Sequence, residues 1–264
     1  MNENVMRQNA ENKPIARTIT IIVPALNEEA NIRHTYHEIM NVLHGQFEDY
    51  EILIFNDGSV DKTGDIINEL ANENPHVKAI HNETNMGIGY NYLTGIKMAR
   101  MNYTILIPGD NEYLSSSIKK MFKFTGCADI VTSFSVNMES RPYIRRILSR
   151  LYTLLINTIF NLELNYYNGM VIHRRDILQK SKASTFGFAY QSLILTQLLR
   201  SGYTFVEVGV YLRPRHAGRS TALKFKNVIS VLGNIAKHWA KIRLIERQKY
   251  NLKGRRIILD NETF

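Results

Sequence analysis

Residues 18–29 read TITIIVPALNEE, and residues 51–63 read EILIFNDGSVDKT. Each is a short β-branched and aliphatic run that stops in a polar, turn-forming cluster, which is how a buried strand ends. Residues 77–87 (VKAIHNETNMG) and 103–112 (YTILIPGDNE) repeat the pattern. Between these runs the apolar residues change to helical spacing. Glu28–Leu43 carries Ile32, Tyr36, Ile39, Met40 and Leu43; Ile66, Ile67 and Leu70 follow Asp61; Gly87–Met101 reads as a third helix. Strands alternating with helices predict an α/β fold, a mainly parallel sheet with helices on both faces. Ligands of such sheets collect at the carboxyl ends of the strands. The polar clusters Ala25–Glu29, Asn56–Ser59 and Gly109–Glu112 fall at those ends.

Working outward, the second half is less regular. Pro142–Phe160 is long, apolar on one side, and carries Arg145, Arg146 and Arg150. Tyr190–Arg200 reads as a helix and Thr204–Val210 as a strand; Leu212–Ser220 is a basic loop. In Lys224–Lys249, Val228, Val231, Leu232, Ile235, Trp239 and Ile242 again follow the helical period. The expected organisation is an N-terminal arm over 1–17, one domain over 18–222, and a basic amphipathic C-terminal helix and tail over 223–264.

Composition removes several classes. At 264 residues, with 44% hydrophobic and 22% charged residues, the chain is neither disordered nor fibrous. No run approaches 18 consecutive apolar residues, and the polar first 17 residues lack the apolar core of a secretion signal. The single cysteine, Cys127, permits neither an internal disulfide nor a cysteine-based zinc site, so a cytoplasmic location is expected. The formal charge of +9 is concentrated: Arg213–Arg256 holds thirteen Lys and Arg against one acid, Glu246. That clustering fits a phosphate-rich partner or a solvated tail. It contains no nucleic-acid-binding motif, and no nucleic acid partner is expected.

Asp110-Asn111-Glu112 follows the fourth strand directly. Two carboxylates two residues apart can share a hard divalent cation such as Mg²⁺ or Mn²⁺, which would bridge diphosphate oxygens. Asp57 stands at a strand end where it could accept hydrogen bonds from a base or ribose. In Asn85-Met86-Gly87-Ile88-Gly89 the glycines allow close backbone approach to a ligand. Neither a G-x-G-x-x-G nor a P-loop is present, which counts against dinucleotide and ATP folds.

The order of P-A-L-N-E-E (24–29), N-D-G-S-x-D-x-T (56–63), N-x-G-I-G (85–89) and P-G-D-N-E (108–112) resembles family 2 glycosyltransferases of GT-A fold. With R-R-I-L-S-R (145–150), G-F-A-Y-Q (187–191), V-E-V (206–208) and R-H-A-G-R-S (215–220), the chain is similar to the polyprenyl-phosphate branch, which includes dolichol-phosphate mannose synthase. The resemblance implies a donor pocket of Pro24, Ala25, Asn27, Glu28, Asp57, Asn85, Gly87 and Asp110. It also implies a Mg²⁺ or Mn²⁺ site at Asp110 and Glu112, with Arg215 and Ser220 closing over phosphates. Catalysis would rest on Asp110, Glu112 and Arg215, and acceptor binding on Arg145, Arg146, Gln191, Arg213, Arg219 and Ser220. Four positions depart from the family's pattern: Asn56 and Asn165 stand where acids are usual, Glu112 where Asp is usual, and Phe134 where Arg is frequent. The donor is left open between UDP and GDP sugars.

A sugar hydroxyl acceptor needs a general base, normally a carboxylate, whereas a phosphate monoester is already anionic. The expected acceptor region offers Gln191 and no acid, although Glu163 or Asp176 could fold into it. The sequence therefore favours inverting transfer to a polyprenyl phosphate at the cytoplasmic membrane face, with the two basic helices on the bilayer or on a membrane-anchored partner. A glycan hydroxyl acceptor, or a non-catalytic nucleotide-sugar-binding scaffold, are the alternatives.

Overall fold

The computed structural model describes residues 15–181, 187, 189–213 and 225–258. The alternation read from the sequence is realised as β1 (Thr18–Ala25), α1 (Ile32–Leu43), β2 (Asp49–Asp57), α2 (Thr63–Glu73), β3 (Val77–Asn82), α3 (Ile88–Met98) and β4 (Tyr103–Leu106). There follow α4 (Ser115–Lys123), β5 (Ile130–Ser135), α5 (Tyr143–Phe160), β6 (Val171–Arg174), α6 (Arg175–Gln179), α7 (Tyr190–Arg200), β7 (Phe205–Val210) and α8 (Phe225–Ala240). The seven strands form one sheet in the order β3-β2-β1-β4-β6-β5-β7. All neighbours are parallel except β6, which runs antiparallel to both β4 and β5.

Strand β1 is buried on both faces beyond its first residue, which is why its sequence is continuously apolar rather than alternating. Ile19, Ile21 and Val23 point into a core shared with α1, α2 and α4. Ile22, with Leu53 and Phe55 of β2, joins a second core with α3, α5 and α7. The sheet is thus covered on both sides, as expected. Its strand order reverses at β1, whose neighbours are β2 and β4. The crevice between the carboxyl ends of β1 and β4 is therefore the topological switch point, the usual ligand position in such sheets.

The C-terminal segment differs from the appendage expected after residue 222. Ile235 of α8, Ile242 in the π-helical turn Lys241–Ile245, and Tyr250 all belong to the second core. The Arg200 guanidinium donates to the Tyr250 carbonyl at 3.1 Å. Residues 255–257 lie alongside β7, with Phe205 N–H donating to the Arg255 carbonyl and Ile257 N–H to the Phe205 carbonyl. Apolar residues on the inner helix face and this backbone pairing make the segment part of the domain. Part of its positive charge is spent within the chain, on the ion pairs Lys253–Glu163 and Arg256–Glu207. Among the described residues no helix is long and apolar enough to cross a membrane.

Candidate active site

Four loops meet at the switch point, and local hydrogen bonds fix each of them. The first follows β1. Asn27 sits in the left-handed region at φ 56°, where asparagine is among the tolerated residues. Its N–H donates to Ser59 Oγ at 3.0 Å, and its Oδ1 accepts from Val60 N–H at 3.0 Å. Glu28 N–H donates to Thr63 Oγ1 at 2.8 Å, and Glu29 accepts from Lys62 N–H at 3.0 Å. These reciprocal bonds close the first loop onto the second. Asp61 is held below the usual carboxylate range: burial pushes it up, but hydrogen bonds from Thr63 and from the Glu29 N–H outweigh that.

Asp57 is buried and organises the third loop. Its carboxylate accepts from Met86 N–H and Gly87 N–H, both at 2.9 Å, and from the Asn82 amide at 2.8 Å. The expected contact to a base or ribose thus meets a carboxylate already serving three donors, because the chain crossing here needs its backbone N–H groups satisfied. The crossing is tight. Gly58 lies at φ 74°, and a Cβ there would stand 2.6 Å from the Thr84 carbonyl carbon. Asn56, where an acid is usual, caps the turn: its Oδ1 accepts from Ser59 N–H at 3.1 Å and its amide faces His81 Nδ1 at 3.1 Å. Pro24 and Ala25 are buried at the end of β1, Glu28 is half-buried, and Asn27 and Asn85 are exposed at the rim.

The fourth loop carries the acids. Gly109 N–H donates to the Pro24 carbonyl at 2.9 Å, and a Cβ on Gly109 would stand 3.1 Å from that of Ala25. This contact brings Asp110 beside the first loop. Asn111 adopts φ 54°, and its N–H donates to Thr35 Oγ1 of α1. Glu112 N–H donates to Asp110 Oδ1 at 3.2 Å. The Glu112 side chain is 9% exposed and forms an ion pair of 2.7 Å with Arg141. Burial works against the Arg141 charge, but the neighbouring Tyr166 hydroxyl and Glu112 raise its pKa overall. Tyr113 behind the loop is held neutral, its pKa pushed well up by burial first and by Glu112 second.

The donor set suits a hard cation through Asp110, a half-buried carboxylate at the crevice. Mg²⁺ is commonly held by one or two carboxylates plus substrate phosphates and waters. No group of three or more His, Cys, Asp or Glu residues able to hold a metal occurs among the described residues, so an all-protein cage is not built here.

Arg213, expected from the resemblance at an acceptor phosphate, makes contacts within the chain. Its N–H donates to the Glu112 carbonyl at 2.8 Å, and its guanidinium donates to the Asn111 carbonyl at 3.0 Å and pairs with Glu38. All of these contacts hold the acidic loop. Gln191, also expected on the acceptor side, is bonded within the chain. Its amide donates to the Tyr167 and Gly169 carbonyls at 2.8 and 2.7 Å, fixing the turn before β6. Arg145 and Arg146 are half-buried at the start of α5, with the Arg146 guanidinium 6.0 Å above the Tyr143 ring. Arg215, Arg219 and Ser220 lie outside the described residues.

Asn165 has a local explanation. Its backbone N–H donates to Glu207 Oε1 at 2.7 Å, and its amide to Oε2 at 3.3 Å. An aspartate would set two carboxylates against each other in a buried place. The Glu207 pKa is already raised by burial, with the Asn165 N–H and Arg256 acting against it.

Sequence reasoning missed Arg141, Tyr166 and Glu38. Each acts through contacts with residues distant in the chain, and the only local hint was Arg141 immediately before Pro142, which precedes a helix.

Comparisons with known proteins bear on the fold and the family. Dolichyl-phosphate beta-glucosyltransferase ALG5A of Trichomonas vaginalis is 29% identical over 54% of this chain and 49% of its own length, so this chain spans about half of that relative. Polyprenol monophosphomannose synthase of Mycolicibacterium smegmatis is 24% identical over 79% of this chain and 82% of its own. Dolichol-phosphate mannosyltransferase of Pyrococcus furiosus is 24% identical over 93% and 71%. Among solved structures, glucosyl-3-phosphoglycerate synthase of Mycobacterium tuberculosis, in complex with Mg²⁺ and UDP, superposes with a TM-score of 0.63 at 17% identity, covering 85% of this chain and 80% of that one. That likeness supports the GT-A fold. Residues 20–181, which run from the core of β1 through the crevice loops to the strands of the far side, match the family described as Glycosyl transferase family 2, and the chain belongs to that family.

Proposed function

We propose that this chain is an inverting glycosyltransferase that moves a sugar from a nucleoside diphosphate sugar to a polyprenyl phosphate. One observation carries the choice of acceptor: Glu163 and Asp176, the two acids named from the sequence as possible general bases for a hydroxyl acceptor, are committed elsewhere, as is Glu207. Glu163 pairs with Lys253, Asp176 with Arg174, and Glu207 with Arg256. A phosphate monoester, anionic at neutral pH, needs no base. The names of the Trichomonas, Mycolicibacterium and Pyrococcus relatives support the same acceptor class.

In this reading the nucleoside lies over Pro24, Ala25, Asn27 and Glu28, with the loop of Asn85 and Gly87 beside it. The diphosphate faces Asp110, and Arg215, Arg219 and Ser220 are assigned to phosphates on the resemblance alone. Asp110, with Glu112 behind it, would hold the divalent cation, Mg²⁺ or Mn²⁺. When bound, that cation supplies charge neutralisation on the departing diphosphate. An oxygen of the lipid phosphate attacks the anomeric carbon while the bond from that carbon to the diphosphate breaks on the opposite face. The nucleoside diphosphate leaves with the electron pair, and no proton changes hands. Arg141 holds the Glu112 carboxylate in place, and Arg213 holds the turn through Asn111.

A lipid acceptor places the enzyme at a membrane surface. On α5, Ile144, Ile147, Leu148, Leu151, Leu154 and Leu155 form an exposed apolar stripe, beside Arg145, Arg146 and Arg150. On α8 and the following turn, Leu232, Trp239, Leu244 and Ile245 are exposed among Lys237, Lys241, Arg243 and Arg247. An apolar face with basic flanks suits the anionic inner leaflet, a peripheral position on the cytoplasmic side.

The test is nucleotide release over a panel of UDP and GDP sugars with Mn²⁺ or Mg²⁺, with and without a short polyprenyl phosphate. Release that requires both metal and lipid phosphate is the expected result and names the donor. Release stimulated by a glycan instead would move the acceptor to a hydroxyl, and no donor binding at all would leave only a scaffold.

A further inference from the structure

Two residues of α1 hold the acidic loop from one side. Thr35 is 2% exposed. Its hydroxyl donates to the Gly109 carbonyl at 3.0 Å and accepts from Asn111 N–H at 3.0 Å. Those two groups belong to the peptide units on either side of the Asp110 Cα, so one oxygen atom ties both peptide planes about that carbon. Peptide planes are rigid, and fixing both sets φ and ψ of Asp110 and with them the direction of its Cα–Cβ bond. The Glu112 N–H, donating to Asp110 Oδ1 at 3.2 Å, then limits how the carboxylate turns.

Glu38 lies one turn further along the same face of α1. Its carboxylate accepts from the N–H of Ser115, the first residue of α4, at 2.7 Å and from the Ser115 hydroxyl, and it pairs with the Arg213 guanidinium. Arg213 reaches on to the Asn111 carbonyl at 3.0 Å. Asn111 thus has its N–H on Thr35 and its carbonyl on Arg213 while it holds φ 54°. A residue other than glycine persists there where its surroundings over-determine it. The helix itself does not ask for these side chains. Threonine is a weaker helix former than alanine, and a helical threonine often turns its hydroxyl back to a carbonyl of its own helix. Thr35 instead directs both hydrogen-bonding roles at the loop.

We propose that Thr35 and Glu38 are positioning residues for the Asp110 carboxylate, holding it at the aim a divalent cation on the nucleoside diphosphate requires. The proposal rests on the glycosyltransferase reading and deepens it: part of the cation's affinity is set by side chains that are not themselves ligands. Thr35 acts on the backbone of Asp110 directly. Glu38 acts at one remove, by keeping Arg213 on the Asn111 carbonyl. A group at a reacting centre tolerates little displacement, and a shift of about 1 Å can cost about 10²-fold in rate.

The test uses the full chain and reads Mn²⁺ binding directly, by the electron paramagnetic resonance of the free ion, with UDP and with GDP. Calorimetric nucleotide binding in EDTA and steady-state turnover accompany it. Asp110→Ala is expected to abolish nucleotide-dependent Mn²⁺ binding. Thr35→Val keeps the shape and removes the hydroxyl. It should weaken Mn²⁺ binding by about tenfold or more, the scale of buried polar groups left without a partner, and lower kcat by about 10²-fold. Nucleotide binding in EDTA should stay within about twofold of wild type, and Thr35→Ser, which keeps the hydroxyl, should bind Mn²⁺ within about threefold. Should Thr35→Val fail to fold, Glu38→Gln carries the test, with Mn²⁺ binding weakened by about threefold or more as a charge-assisted contact is lost. Asp110-dependent Mn²⁺ binding that equals wild type in Thr35→Val or Glu38→Gln would overturn the role of that residue and leave the glycosyltransferase reading standing. Thr35→Ser as weak as Thr35→Val, or nucleotide binding in EDTA falling as far as Mn²⁺ binding, would overturn the proposal as well, since a hydroxyl acting on Asp110 does neither. Mn²⁺ binding that ignores Asp110→Ala would sink the cation site and the proposal together, while turnover without metal would still leave the transfer reaction standing.

Discussion

The crevice between β1 and β4 and the wall formed by β5, α5 and β7 are held by different kinds of contact. In the crevice, short side chains and backbone groups bond reciprocally across two neighbouring loops, as Asn27 does with Ser59 and Val60, and Asp57 with Met86 and Gly87. Across the wall, long side chains from distant segments form ion pairs: Arg141 with Glu112, Arg213 with Glu38, Arg256 with Glu207. Short polar groups in a fixed turn specify a shape that a contiguous motif can encode. Guanidinium pairs specify a junction between elements, and either partner can come from anywhere in the chain. A buried pair is also harder on its surroundings when broken, because the remaining charge stays out of water.

That contrast can be broken at either end, and the largest effect is expected in the crevice itself. Asp110→Ala should lower turnover by about 10³-fold, the scale of removing one preorganised stabiliser of developing charge, while the urea unfolding midpoint moves little. A comparable loss of stability would mean that Asp110 belongs to the scaffold.

Next in size, Arg141→Gln should cost about 3 kcal/mol of stability by urea unfolding, since it strands Glu112. Adding Glu112→Gln should restore part of that loss. A cost under about 1 kcal/mol would show the wall to be held by packing rather than by its ion pairs.

Gly58→Ala tests the backbone character of the crevice. With φ at 74° and the Thr84 carbonyl carbon 2.6 Å from the new Cβ, a loss of about 2 kcal/mol is expected, together with weaker donor binding. Gly45→Ala, also at positive φ but with nothing within 4 Å, should cost less, about 1 kcal/mol.

The last effect is spread over a range of pH. Burial depresses the pKa of His173 to about 3, and burial followed by the Lys241 charge depresses that of His238 to about 4. Both are neutral in the fold, whereas the unfolded chain takes up protons below about pH 6.5. Stability should therefore be full above pH 6.5 and fall as the pH drops toward 4. His173 contributes about 1.4 kcal/mol per pH unit at the steepest. Denaturant titrations at pH 7, 6, 5 and 4 check this, and His173→Asn should flatten the slope. An unchanged slope would mean that groups other than His173 drive the acid response.

The comparison also explains what was legible in advance. The four strand ends could be read because each motif is contiguous, and for β1, β2 and β4 because the strand is largely apolar, as a strand buried on both faces must be. The departures at Asn56 and Asn165 were visible as departures only. Their reason appeared once Asn56 was found capping the turn to Ser59 and Asn165 was found against Glu207. The intrachain partners of Arg213 and Gln191 were not legible, because a cation or an amide in a motif carries no mark of its partner. Arg213 contacts Asn111 and Glu38, and Gln191 the Tyr167–Gly169 turn. The basic C-terminus looked like an appendage, and tertiary packing instead committed Tyr250 to the core and Arg256 to Glu207.

By itself, then, the sequence determined the layered sheet and the three polar loops of the crevice, together with the acidic turn that closes it. Strand burial, turn chemistry and helical period are local physics, written in consecutive residues. Only the tertiary structure decided which charges remain available to a substrate and which are spent on one another. Ion pairing depends on distance in space: Arg213 and Glu38, 175 residues apart in the chain, are neighbours only because α1 and the end of β7 flank the same loop.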